Sequence, residues 1–262
     1  MVIVAMLRYH NLSIQCTNTT SFLLSNCRSV IDSYGNTAMH KACQGGDDKA
    51  ELVEFLIEEE KRRGITEKES PLDEVEIPSY KIKDKYGRCP AFLTFSSSVV
   101  ELLLQFQDLA IIDGHGKSLL WHCAERGMVT KRILNDVRIK TQMGQRHLST
   151  LPIEEALQRG HAGNVYSAVV IIKSLQEQSQ HVRLLTLRAI IGSVGVSFRT
   201  LTEVLKSTGD IVWELMQENK SSLNKVGNFY RLLAMTMRAM SRFDWFEPEN
   251  QGKVTLSNYI TC

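Results

Sequence analysis

With 43% hydrophobic and 23% charged residues over 262 positions, the chain has an ordinary globular composition, long enough for an extended core and not biased toward disorder. A formal net charge of +2 by itself suggests neither a phosphate-binding surface nor an acidic partner, so no nucleic-acid ligand is expected. Met1–Leu7 is apolar but lacks the basic flank and length of a secretory signal, and no run reaches the ~18 apolar residues of a spanning helix, so no membrane insertion is expected.

In chain order, Thr20-Ser-Phe-Leu-Leu-Ser-Asn26 reads as a helix, and residues 1–31 as an N-terminal cap or a degenerate leading copy of the motif that begins at Asp32. The segment Asp32-Ser-Tyr-Gly-Asn-Thr37-Ala-Met-His40-Lys-Ala42-Cys-Gln-Gly-Gly46 sets a turn, a helix start and a break in fixed order. Asp32 suits a turn opened by its own carboxylate, Gly35 supplies positive φ, and Thr37 caps a helix lined by Ala38, Met39 and Ala42. The order returns at Asp84-Lys-Tyr-Gly87-Arg-Cys-Pro90, with Val99–Leu104 as its second helix. It returns again at Asp113-Gly-His-Gly116-Lys-Ser-Leu-Leu-Trp121-His-Cys-Ala124-Glu-Arg-Gly127. At Leu151-Pro-Ile-Glu-Glu-Ala156-Leu-Gln-Arg-Gly160-His161 the helix start and break survive, while Arg146 and Ser149 occupy the places of the turn Asp and Gly. There the helices are expected to persist and the turn tip to change.

This recurrence resembles the ankyrin repeat family, whose Thr-Pro-Leu-His-x-Ala core recurs at about 33 residues. The resemblance covers roughly residues 32–173 as about four repeats. It implies an all-α, ankyrin-type helical repeat solenoid that binds a protein partner through a rigid, preformed concave surface of turn tips and inner helices. The matching positions here are Ser33, Tyr34, Asn36 and Gln44; Lys85, Tyr86, Arg88 and Ser96; His115, Lys117, Glu125 and Arg126; and Gln158 and Arg159. Tyrosine and arginine among them are the expected hot spots. The family's histidine, here His40, implies a structural role in holding turns together.

Residues 62–83, mixed in charge and carrying two prolines, interrupt the array as an inserted loop near the second repeat, with Val75, Ile77, Tyr80 and Ile82 spaced for a short hairpin. After Lys173 the repeat signature stops, and residues 174–246 read as a C-terminal helical module. One helix holds Leu184–Ile191, a second Phe198–Leu205, a third Ile211–Leu215 and a fourth Ser221–Arg242, with Gly192, Gly195 and Gly209 as breaks and Asn219 or Ser221 as a cap. On the fourth helix Arg231, Arg238 and Arg242 share a face near Met235, Met237 and Met240, as either a solvated side or a partner site. Phe243-Asp-Trp245-Phe246 either packs on the bundle or serves as an anchor. Residues 247–262 read as a flexible tail.

Cysteines at 16, 27, 43, 89, 123 and 262 show no metal-ligand or disulfide spacing, which suits a reducing intracellular compartment and no metal. His122 and Cys123 are adjacent and diverge on a helix, Gly114-His-Gly116-Lys-Ser lacks the spacing of a phosphate loop, and no catalytic residues or cofactors are expected. Two functional classes remain open. One is a protein-binding adaptor in the cytoplasm. The other is an ankyrin-bearing bacterial or viral effector acting in a host cytoplasm, with the C-terminal helices as a second functional region.

Overall fold

The computed structural model describes residues 31–46, 49–62, 77–106, 112–147, 149–195 and 197–241. The expected cap up to residue 30, the centre of the expected insertion (63–76), Arg242, the Phe243–Phe246 run and the tail lie outside the described residues, as do Cys16, Cys27 and Cys262. The described chain is all-α, with no strand among the described residues beyond one bridge pairing His147 and Thr150.

The described residues form two compact units, one reaching Cys123 and including Thr130–Gln142, the other comprising Ala124–Val129 and the chain from Met143 onward. In the first unit, α1 (Ala38–Cys43) and α2 (Ala50–Arg62) come after the first turn. Buried Met39, Ala42 and Cys43 face the core from α1; Val53, Leu56, Ile57 and Glu60 do so from α2 at i, i+3, i+4 and i+7. The second copy begins with a 3-10 turn, Pro90–Leu93, in place of an α-helix, then α3 (Ser97–Leu103). Thr94 explains the shortening: its backbone is extended and its Oγ accepts the Ser96 N–H, after which Ser96 Oγ accepts the Val99 N–H and caps α3. The third copy opens with α4 (Leu119–Arg126), capped where Ser118 Oγ accepts the Trp121 N–H, and continues in α5 (Lys131–Asn135) and α6 (Val137–Lys140).

Residues 77–83 correct one expectation. They hold a 3-10 turn, Ser79–Lys81, and no hairpin strand, because buried Glu60 takes the Ser79 N–H on both carboxylate oxygens at 3.2 Å and closes the backbone there.

The second unit contains α7 (Pro152–Arg159), α8 (Ala162–Lys173), α9 (Gln180–Ser193), α10 (Phe198–Glu218), α11 (Lys220–Leu223) and α12 (Phe229–Ser241). α8 packs on α7 and α10, and α10 packs on α9 and α12. The fourth copy therefore clusters with the C-terminal helices. Asn164 on α8 donates to the Ala124 and Glu125 carbonyls at 2.7 and 3.0 Å, and Ser167 Oγ accepts the Val129 N–H at 3.0 Å, which satisfies the backbone of the 124–129 break. Gly192 and Gly209 are not breaks: both lie inside helices, and α10 runs unbroken for 21 residues. A Cβ on Gly209 would stand 3.2 Å from Met240 Cγ, so this glycine admits α12 against α10. The single helix expected over Ser221–Arg242 is two, α11 and α12, separated where Asn228 takes φ +65°. Asn219 stands at the N-cap position of α11 as expected, but its side chain makes no capping bond there; its amide donates back to the Leu215 carbonyl at 2.8 Å.

Candidate functional site

The repeated turns of the first unit are built from one pattern. Asp32 accepts the N–H groups of Tyr34 (2.8 Å) and Asn36 (2.9 Å), Asp84 those of Tyr86 and Arg88 (both 2.9 Å), and Asp113 those of His115 (2.9 Å) and Lys117 (2.8 Å). The closing glycines Gly35, Gly87 and Gly116 have φ of +81°, +71° and +79°, the left-handed conformation the turn requires. Successive tips are bonded to each other: Lys85 N–H donates to the Tyr34 carbonyl at 3.0 Å, and Gly114 N–H to the Tyr86 carbonyl at 2.7 Å. The tips therefore form one row, with side chains between each Asp and Gly turned outward.

Each aspartate is used inward. Burial pushes the Asp32 carboxyl up, but Lys41 at 2.8 Å, the Asn36 amide and the Asn36 and Tyr34 N–H groups outweigh it and hold it well below the usual carboxylate range. Burial likewise raises Asp113, and the Lys117 N–H, His122 and the His115 N–H bring it down; His122 Nε2 lies 3.0 Å from Asp113 Oδ2. Asp84 takes the Arg88 guanidinium at 2.7 and 2.8 Å.

His40 links turn to turn. Its Nδ1 accepts the Thr37 N–H at 3.1 Å, leaving Nε2 to donate to the Arg88 carbonyl at 3.0 Å. Burial, the largest influence, lowers its pKa below 6.5, against the Arg88 carbonyl.

Of the residues read from sequence, Ser33, Tyr34, Lys85, Tyr86 and His115 are exposed along the row, and Arg88 and Lys117 are half-buried beside it. Tyr34 is 55% exposed and Tyr86 43%. Tyr86 stacks with His115 (centroids 6.2 Å apart, 26° between planes) and carries the Arg88 guanidinium 4.7 Å over its ring, while Lys117 Nζ sits 3.9 Å over Trp121. Gln44 is exposed at the end of α1. Two residues are corrected. Asn36 is 5% exposed, its amide donating to Asp32, and Ser96 is 1% exposed because its hydroxyl caps α3, so neither presents a side chain to a partner. In the second unit Gln158 and Arg159 are exposed, Glu125 and Arg126 half-buried, and Arg159 bonds Glu125 at 2.7 Å and Glu155 at 2.9 Å.

At the fourth turn Ser149 has φ +75°, so the left-handed residue persists at the glycine's place without glycine, while His147 and Thr150 exchange backbone bonds at 2.8 Å where the aspartate would have acted. Sequence reasoning missed the Asp113–His122 pair, although His122 at nine residues from Asp113 was within reach of a turn followed by one helix.

Cys43, Cys89 and Cys123 are buried thiols, and burial pushes the Cys43 thiol up. Among the described residues no three His, Cys, Asp or Glu side chains group as metal ligands, and no helix is long and apolar enough to cross a membrane. A scan of protein-family models finds no match for the chain, and a search of curated proteins finds no significant match.

Proposed function

We propose that the chain is an ankyrin-type repeat protein that binds a protein partner through its row of turn tips. One observation carries this reading: the tip-to-tip bonds Lys85 N–H to Tyr34 carbonyl and Gly114 N–H to Tyr86 carbonyl fix exposed Tyr34, Lys85, Tyr86 and His115 on one bonded backbone row. Such a row is ordered before docking, so little entropy is lost on binding, and its aromatic and cationic side chains are the types that concentrate binding energy. A binding role is favoured over catalysis because three of the described side chains capable of chemistry, two histidines and a cysteine of the first unit, are engaged in the fold. His40 and His122 brace turns, and Cys43 is buried with its thiol held protonated.

The test is capture of binding proteins by the full chain from a cell lysate, then titration of the captured partner. Tyr34→Ala and Tyr86→Ala should each weaken binding by about 1–3 kcal/mol and leave the unfolding midpoint nearly unchanged. A partner held equally well by both variants, or equal losses of stability and affinity, would refute the row as the binding surface.

A further inference from the structure

The second unit carries an open groove of about 370 Å³ between α10 and α12, lined by Phe198, Thr202 and Lys206 on one side and by Arg231, Ala234, Met235, Arg238 and Ala239 on the other. Its floor is apolar: Phe198 is 47% exposed and Met235 and Ala239 are partly or wholly buried. The rim is basic. Lys206, ion-paired with Glu203 on the same helix at 2.6 Å, flanks one wall, Arg231 and Arg238 the other, and none of the lining residues is a carboxylate. Arg231 lies over the Phe198 ring with its guanidinium carbon 5.5 Å from the centroid, joining the cationic rim to the apolar floor.

We infer that this groove is a docking site for an acidic amphipathic helix of a partner protein. An apolar stripe would lie on Phe198, Ala234 and Met235, with Asp or Glu on both flanks facing Lys206 and the two arginines. The spacing fits that occupant: Arg231 and Arg238 stand two helical turns apart, about 10 Å along α12, as carboxylates at i and i+7 do on a docked helix. Arginine forks onto carboxylates and Met235 can repack around differing apolar side chains. A phosphate polyanion fits less well, because an apolar floor offers it nothing to bond.

The experiment uses the full chain and a fluorescein-labelled helical peptide with Leu and Phe on one stripe and Glu on both flanks, monitored by anisotropy. Binding should fall by about tenfold or more in Arg231→Glu/Arg238→Glu and in Lys206→Glu, and the arginine double variant should gain affinity for the Lys-for-Glu peptide. Ala234→Trp, which fills the groove without changing charge, should also abolish binding, and circular dichroism checks that each variant folds. Three results would each overturn the assignment. One is unchanged binding in the charge-reversed variants. A second is equal affinity for a Glu peptide whose Leu and Phe are replaced by Ser, which would make the groove a mere anion site. The third is a tenfold gain in peptide affinity on Trp245→Ala/Phe246→Ala, which would give the groove to the chain's own C-terminal segment.

Discussion

Replacing Gly87 with Val tests the tip-to-tip construction most directly. At φ +71° a β-branched residue is strained, by about 1–2 kcal/mol for the left-handed conformation. A Cβ there would also stand 2.9 Å from the Gly114 nitrogen and 3.2 Å from its Cα, contacts with backbone that no side-chain rotation relieves. The second tip must then move off the third, which loosens the 2.7 Å bond from Gly114 N–H to the Tyr86 carbonyl, a further ~1 kcal/mol. The sum, about 2–3 kcal/mol, is a large part of a typical domain stability of about 5–15 kcal/mol, so the variant folds but melts lower by roughly 4–12 °C. Urea and thermal unfolding monitored by far-UV circular dichroism measure it, with Tyr86→Ala as the neighbour that should stay within about 0.5 kcal/mol of wild type. A loss below about 0.5 kcal/mol for Gly87→Val would refute the reasoning, because it would mean the tips are not bonded as described.

Three further outcomes are expected. His40 is held neutral below its ordinary pKa of 6.5, so the unfolded chain takes up a proton near that pH that the native chain does not; stability should fall as the pH drops below about 6.5. His40→Gln should lower stability by about 1–3 kcal/mol at neutral pH and flatten that slope, and urea midpoints at about pH 7.5 and 5.5 with equal slopes in both proteins would contradict it. Ser149→Gly should raise the midpoint by about 0.5–1 kcal/mol by relieving a left-handed serine, and a lower midpoint would show that the residue is not strained. Gly192→Ala, inside α9 with nothing within 4 Å of the added carbon, should stabilise by about 0.5–1 kcal/mol in thermal melts, against no gain if the helix is not formed there.

The turns were legible in the sequence because everything that makes them is local: Asp and Gly three residues apart, then a cap. The helices of the fourth copy were legible for the same reason, since Pro152 and Gly160 mark its first helix without the turn residues. Gly192 and Gly209 misled because a glycine breaks a helix only when nothing else holds it: α9 packs on α7 and α10, and α10 on α8 and α12. The 3-10 turn at Ser79 depended on Glu60, a partner 19 residues earlier that no pattern announces. The row of tips was partly readable: spacing placed Tyr34 and Tyr86 at equivalent positions, but it could not tell that Asn36 and Ser96 would be consumed by bonds at turn and cap. The α10–α12 groove was least readable. Arg231 and Arg238 stood out on one helix face, while Phe198 and Lys206 join them only through packing.

The way the tips divide labour has a consequence for how this surface can change under selection. Aspartate, glycine and the tip carbonyls do the holding, and the N–H groups of Tyr34, Tyr86 and His115 make the same bonds whatever side chain those positions carry. Positions 33, 34, 85, 86 and 115 can therefore exchange residues with small effect on folding, and a drifting lineage can try new partners one side chain at a time. Gly114 is the exception in the row, because a side chain there would meet the Tyr86 carbonyl oxygen at 2.5 Å. Variation among related chains should crowd into those five sites and stop abruptly at that glycine.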